Sequence, residues 1–246
     1  MTAPPTVVRA VFFDFAGTLF SSRDLRDSHL AQLRAVADAV DRHPTDDELR
    51  AAYRQGMGVA YRSIASRPYY LHRELFASSF AAMAEALGGS LDTVACDALV
   101  DRQYVSTLEA TVLRPDCLDT LVALRERGLR TQIVSNIDDE QLDGLVERLG
   151  LDALVDTWTS SESARSCKPD ARIYQVALAA AGCDASKVLF VGDTVAHDIV
   201  GPRAQGMRTA LLVADARPGP SDDGGADFVI ERLGEVVELV DRERAA

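Results

Sequence analysis

The chain has 246 residues, with 26 lysines and arginines against 38 aspartates and glutamates, for a formal net charge of −12. That balance argues against nucleic acid or an anionic membrane as a partner, since both require a basic surface. It leaves room for a small anionic substrate, which senses only the field of its own pocket. Hydrophobic residues at 47% and charged residues at 26% are ordinary for a globular protein, and the length suits one large domain or a core with an insert.

Lysine occurs only at Lys168 and Lys187, so chemistry that requires a lysine has two candidates. Cys96, Cys117, Cys167 and Cys183 lie far apart without C-x-x-C spacing, which resembles neither a disulfide framework nor a zinc site. Reduced thiols point to a cytoplasmic protein. Met1–Ala10 has no charged-then-apolar signal pattern, and no apolar run approaches a membrane span.

In chain order, Val7–Phe13 reads as a buried strand, short, β-branched and aromatic, ending at Asp14. After Gly17-Thr18 the pattern turns helical, with Leu25, Leu33, Val36, Ala37 and Val40 on one face and Pro44 closing the helix. Thr45 with Glu48 is a capping box for the next helix. Helical, alanine-rich sequence continues to about Glu109, broken near Arg67-Pro68 and Gly88-Gly89, with no convincing strand between residues 20 and 110.

From Pro115 the rhythm changes. Helices are expected near Asp116–Arg127, Glu140–Leu149 and Ala171–Ala181, each stopped by a glycine (Gly128, Gly150, Gly182) suited to a left-handed cap. Strands are expected at Thr131–Ser135, Thr157–Ser160, Val188–Val191, Thr209–Val213 and Phe228–Ile230. A short helix falls around Asp198–Gln205 and a last helix follows the final strand. Arg217–Gly225 reads as a surface loop. Trp158 is expected in the core, and His197 at the surface at a helix start. Cys167 is expected to be an inert thiol, and His29 and His43 lack partners at metal spacing.

Strands alternating with helices predict an α/β fold, a Rossmann-like parallel sheet flanked by helices, with an all-helical cap inserted after the first strand. The expected division is 1–20 with 110–246 as core and 21–109 as cap. Asp14, Ser135-Asn136, Lys168-Pro169, and Gly192-Asp193 with Asp198 end strands or open the loops that follow. In an open parallel sheet such loops can converge outside the carboxyl ends of the strands.

These motifs, Asp14-Phe15-Ala16-Gly17-Thr18, Ser135-Asn136, Lys168-Pro169-Asp170 and Gly192-Asp193 through Asp198, resemble in order those of the haloacid dehalogenase superfamily. The resemblance covers about 200 residues, and the helical insert resembles the family's first cap class. It implies a hydrolase in which Asp14 attacks phosphorus to form an aspartyl-phosphate. It also implies a Mg2+ ion held by Asp14, the Ala16 carbonyl, Asp193 and Asp198. Lys168 would pair with Asp14 and the phosphoryl group. Thr18, Ser135, Asn136 and backbone N–H groups near Gly17-Thr18 and Asn136 would bind its oxygens. The implied partner is a small phosphorylated metabolite, and the implied assembly a monomer or homodimer.

The sequence departs from the family at Ala16, where its phosphatases carry a second aspartate that handles the leaving-group proton. A general acid contributes roughly 10²–10⁴-fold. One reading is a phosphatase whose leaving group needs little protonation, or whose acid comes from the substrate or the insert, where Arg62, Arg67, Tyr69, Tyr70 and His72 are candidates. A second is phosphonoacetaldehyde-hydrolase-like C–P cleavage, which shares the alanine but needs a cap lysine that residues 20–110 lack. A third is haloacid-dehalogenase-like C–halogen hydrolysis, suggested by Gly17–Phe20, Arg23 and Tyr174. That branch binds no metal and replaces the Gly192-Asp193 pair with small polar residues. A fourth is a non-catalytic phospho-ligand or protein-binding module, against which the retained Asp14, Lys168 and Asp193 weigh.

Overall fold

The computed structural model describes residues 7–215 and 223–245. Six strands form one wholly parallel sheet in the order β3-β2-β1-β4-β5-β6. They are β1 (Ala10–Phe13), β2 (Arg130–Ser135), β3 (Thr157–Ser160), β4 (Val188–Gly192), β5 (Arg208–Leu212) and β6 (Phe228–Ile230). The order reverses beside β1, so the loops after β1, β2 and β4 open at a switch point, the usual place for a ligand site.

The sheet is apolar on both faces because both are covered. On one, Phe12, Val134 and Phe190 pack with Ile173, Tyr174 and Ala177 of α8 (Ala171–Ala181). The alternate residues Val11, Phe13, Ile133 and Val191 point the other way and are equally buried. β1 is shorter than expected: its pairing on both sides begins at Ala10, opposite Arg130 and Val188. Trp158 is not in the core. β3 is an edge strand, so the indole is half-buried and its N–H donates to Asp143 Oδ1 at 2.6 Å.

The chain divides into two compact units, Met1–Ser22 with Val112–Ala246, and Arg23–Thr111. The second is all-helical: α1 (Arg26–Asp38), α2 (Asp46–Ile64), α3 (His72–Ala86) and α4 (Thr93–Ala110). Its core gathers Leu33, Val36, Leu49, Phe80, Met83 and Val100. A Cβ on Gly56 of α2 would lie 2.4 Å from the Ser79 carbonyl oxygen, so the glycine lets α2 and α3 approach closely. The Thr45/Glu48 capping box forms as the sequence predicts. Pro44, however, does not end α1. The helix stops at Asp38, and Asp41 turns the chain at φ 53°.

In the first unit Gly128, Gly150 and Gly182 all sit at positive φ after their helices. The expected short helix near residue 198 starts earlier, as a π turn over Val195–Val200 that runs into α9 (Gly201–Ala204). Most of the expected loop at Arg217–Gly225 lies outside the described residues. Among the described residues, no helix is long and apolar enough to cross a membrane.

Phe12, fully buried at the centre of the sheet, gives a test of this architecture. Phe12→Ala should cost about 3–5 kcal/mol in urea unfolding. A cost below about 1 kcal/mol would contradict a packed two-sided sheet.

Candidate active site

Asp14 is placed by β1 and fixed where that strand ends: its backbone N–H donates to Val191 O at 2.9 Å. The turn that follows folds back on itself. Thr18 and Leu19 N–H groups donate to Phe15 O at 3.2 and 2.9 Å, and Gly17 N–H to Phe20 O at 2.9 Å. Gly17 sits at φ 88°, and a Cβ there would lie 2.2 Å from Asp193 Oδ2. Glycine is therefore required twice over, by backbone conformation and by the approach of a carboxylate. Gly192 plays the matching part at the end of β4: its Cβ would lie 2.3 Å from Asp198 Cγ.

Lys168, with a side chain 2% exposed, is the electrostatic centre. Its ammonium donates to Asp14 Oδ1 at 2.6 Å and Asp198 Oδ1 at 2.7 Å, and lies 5.5 Å from the centre of the Phe190 ring. Burial opposes its charge, but Asp14 and Asp198 outweigh burial, so its pKa is raised. Ser135 Oγ donates to Asp14 Oδ1 at 3.2 Å, and Thr18 Oγ1 to Oδ2 at 3.3 Å. Both oxygens of Asp14 are thus oriented by donors from the chain.

Asp14, Asp193 and Asp198 bring carboxylate oxygens within 4.8 Å of one another, a group with the chemistry and spacing to hold a cation. Asp193 lies at the exposed rim of the group, and the partial desolvation of its carboxyl and the Asp14 charge push it up to about 6. Burial, aided by Asp14 and opposed by Lys168, pushes Asp198 up to about 7. Two of the three carboxylates pair with the Lys168 ammonium, and Asp193 makes no ion pair among the described residues. A hard divalent cation is one group that such a donor set could hold.

The structure also assigns work that the sequence did not suggest. The Asn136 side chain clamps the backbone of Lys168, accepting from its N–H at 2.6 Å and donating to its C=O at 3.1 Å. Gly17 and Thr18 N–H groups, expected to face a ligand, are used inside the turn, whose hydrogen bonds leave out those of Phe15 and Ala16. Ala16 itself is exposed. Thr194 N–H donates to Asp198 Oδ2 at 2.9 Å. Tyr174 is fully buried, and its hydroxyl donates to His197 O. It braces the π turn. His197 is half-buried rather than on the surface, and burial and the nearby Lys168 charge lower its pKa.

Arg62, Arg67, Tyr69, Tyr70 and His72 belong to the other unit, around the break between α2 and α3. The arginines are exposed, and the Tyr70 and His72 rings lie 5.2 Å apart. His29 meets the Tyr53 ring edge to face, and His43 neighbours Asp38 and Asp41. None of the four cysteines is in a disulfide.

Two stability tests follow. Gly17→Ala should cost about 1–2 kcal/mol from backbone conformation alone; an unchanged denaturation midpoint would contradict the observed turn. Lys168→Met strands two buried carboxylates and should cost about 3–5 kcal/mol at neutral pH with chelator present. The raised carboxyl pKa values of Asp193 and Asp198 mean that the folded state binds more protons than the unfolded chain. The variant should therefore regain stability as pH falls through those values and lose it as pH rises. A penalty independent of pH would contradict this charge balance.

Comparison with known proteins agrees on one family. The model of the haloacid dehalogenase-like hydrolases matches residues 8–206. The chain is 32% identical over 150 residues to the ribulose-1,5-bisphosphate 5-phosphatase of Halopiger xanaduensis, covering 58% of this chain and 63% of that protein. It is 33% identical over 121 residues to the (S)-2-haloacid dehalogenase of a Pseudomonas species, covering 49% and 52%. Both matches span less than two thirds of those relatives. Among solved structures, YfnB from Bacillus subtilis bound to magnesium superposes with a TM-score of 0.76 at 19% identity, covering 96% of this chain and 99% of that one.

Proposed function

The chain belongs to the haloacid dehalogenase-like hydrolases, and on that premise we propose that it is a Mg2+-dependent phosphatase acting on a small phosphorylated metabolite through an aspartyl-phosphate on Asp14. The observation that carries this reading is the carboxylate trio of Asp14, Asp193 and Asp198, with oxygens within 4.8 Å of one another, of which only Asp14 and Asp198 pair with the Lys168 ammonium. The phosphatase relative supports it.

In this reading Lys168 and Ser135 hold Asp14 Oδ1, while Oδ2, with only the longer Thr18 contact, keeps its lone pairs for attack. The Oδ2–P bond forms as the bond from phosphorus to the leaving oxygen breaks. Water then attacks phosphorus as the Oδ2–P bond breaks, its protons leaving with the inorganic phosphate, and the carboxylate is restored. Lys168, Ser135, and the N–H groups of Phe15, Ala16 and Asn136 steady the phosphoryl oxygens. Asp14, Asp193, Asp198 and the Ala16 carbonyl would hold Mg2+, which would supply the positive charge that lets an anionic phosphoryl group approach a carboxylate. Thr18 orients Asp14.

Ala16 supplies no proton to the leaving oxygen. The reading therefore favours leaving groups that depart as anions, such as the carboxylate of an acyl phosphate, or a proton from the substrate or from the helical unit. Arg62, Arg67, Tyr69, Tyr70 and His72 of the helical unit are the candidates for substrate selection in this reading. No basic surface for nucleic acid or membrane is called for; a cytoplasmic monomer or homodimer suits the reading.

Dehalogenation is the second reading, favoured by the dehalogenase relative. Asp193 weighs against it: a third carboxylate left without a metal would repel both the nucleophile and a haloacid's own carboxylate. C–P cleavage through a cap lysine has no lysine to use.

Phosphate release from a panel of phosphomonoesters, acyl phosphates and phosphonates tests the proposal. Release should require Mg2+, stop with chelator, and be abolished in Asp14→Asn with the fold retained. Substantial activity in that variant would remove the aspartyl mechanism. Ala16→Asp should raise hydrolysis of poor leaving groups by about 10²–10⁴-fold and leave acyl phosphates little changed. No gain, with Mg2+ binding preserved, would mean that another group already delivers the proton.

A further inference from the structure

Arg114 lies where the chain re-enters the sheet-bearing unit, shortly before α5 (Cys117–Glu126). Its side chain is only 11% exposed, and it takes three consecutive carbonyls of the turn after Asp14. Its backbone N–H donates to Leu19 O at 2.9 Å, its Nε to Thr18 O at 2.9 Å, and its Nη2 to Gly17 O at 2.6 Å. The same Nη2 donates to Asp215 Oδ2 at 2.6 Å, which also accepts from Ser21 Oγ at 2.7 Å. Asp215 lies just beyond β5.

The turn is therefore held from both sides. In a trans peptide the C=O and N–H point in opposite directions. Thr18 and Leu19 N–H groups converge on Phe15 O, and the Gly17 and Thr18 carbonyls of those same peptides reach Arg114. The Phe15 and Phe20 rings meet edge to face at 5.1 Å across it. A buried ion pair is a poor source of net stability, because desolvation offsets its attraction and an apolar pair of similar volume serves as well. The planar guanidinium has the fork needed to hold two adjacent carbonyls and a carboxylate at once.

We propose that Arg114, itself held by Asp215 and Ser21, is a positioning residue that fixes the nucleophile turn and so aims Asp14, Ala16 O and Thr18. The proposal rests on Asp14 being the nucleophile, as set out above. Arg114 touches no reacting atom; it acts through the peptide planes of Gly17 and Thr18.

The test uses the full chain with acetyl phosphate and Mg2+, alongside amide hydrogen exchange of the Asp14–Phe20 segment. Arg114→Gln should lower kcat by about 10²-fold with KM little changed, and Asp215→Asn should lower it less. Arg114→Ala should recover turnover with added guanidinium but not with methylammonium. In Arg114→Gln and Asp215→Asn the Gly17–Leu19 amides should exchange faster while those of β5 stay protected. Should Arg114→Ala fail to fold, Asp215→Asn carries the same reading. Unchanged exchange in the turn, or a loss confined to KM, would overturn the proposal. If the native protein releases no phosphate under any condition, the phosphatase reading fails, and turn exchange alone decides whether Arg114 fixes the turn.

Discussion

One ammonium between two buried carboxylates organises this site. Lys168 reaches Asp14 and Asp198 at 2.6 and 2.7 Å from a position almost fully shut off from water. Each group would be costly to bury alone. Together they tie the ends of β1 and β4 to the loop after β3, and Asn136 adds the end of β2 by gripping the Lys168 backbone. Four segments distant in sequence thus meet through a few charge-assisted hydrogen bonds. The third carboxylate, Asp193, leaves the balance negative, and that excess is the strongest physical reason to read the pocket as a cation site.

The close approach has a steric condition. Asp193 and Asp198 lean over backbone where a Cβ would collide, at Gly17 and Gly192. Each glycine is a turn residue and also the empty volume into which a carboxylate fits. The π turn serves the same end. It sets Asp198 beneath Lys168 and leaves His197 O to the buried Tyr174 hydroxyl. The charges, glycines and wide turn describe one constraint, which is that three acidic side chains occupy a space that ordinary backbone and ordinary electrostatics would refuse.

Much of this was legible in the sequence. The short β-branched and apolar stretches before Asp14, Ser135 and Gly192 read as strands, and in an open parallel sheet their carboxyl ends share one rim. What escaped reading was whatever depends on partners rather than pattern. Trp158 looks like core until β3 proves to be an edge. Pro44 looks like a helix stop until Asp41 turns first. The π turn over Val195–Val200 leaves no signature in residue periodicity. Gly17 and Thr18 N–H groups looked available because sequence spacing cannot tell which donors a turn spends on itself. Arg114, one arginine among many, carries no mark of its three carbonyl partners.

The central claim, a metal-assisted attack by Asp14 on phosphorus, is tested most directly by acid-quenching the protein during turnover and locating the covalent adduct by mass spectrometry. Acetyl phosphate with Mg2+ should leave a phosphoryl group on Asp14 that chelator prevents, and a 2-haloacid should leave nothing. An ester of the haloacid on Asp14, formed as readily with chelator as with Mg2+, would contradict the account and make the chain a dehalogenase.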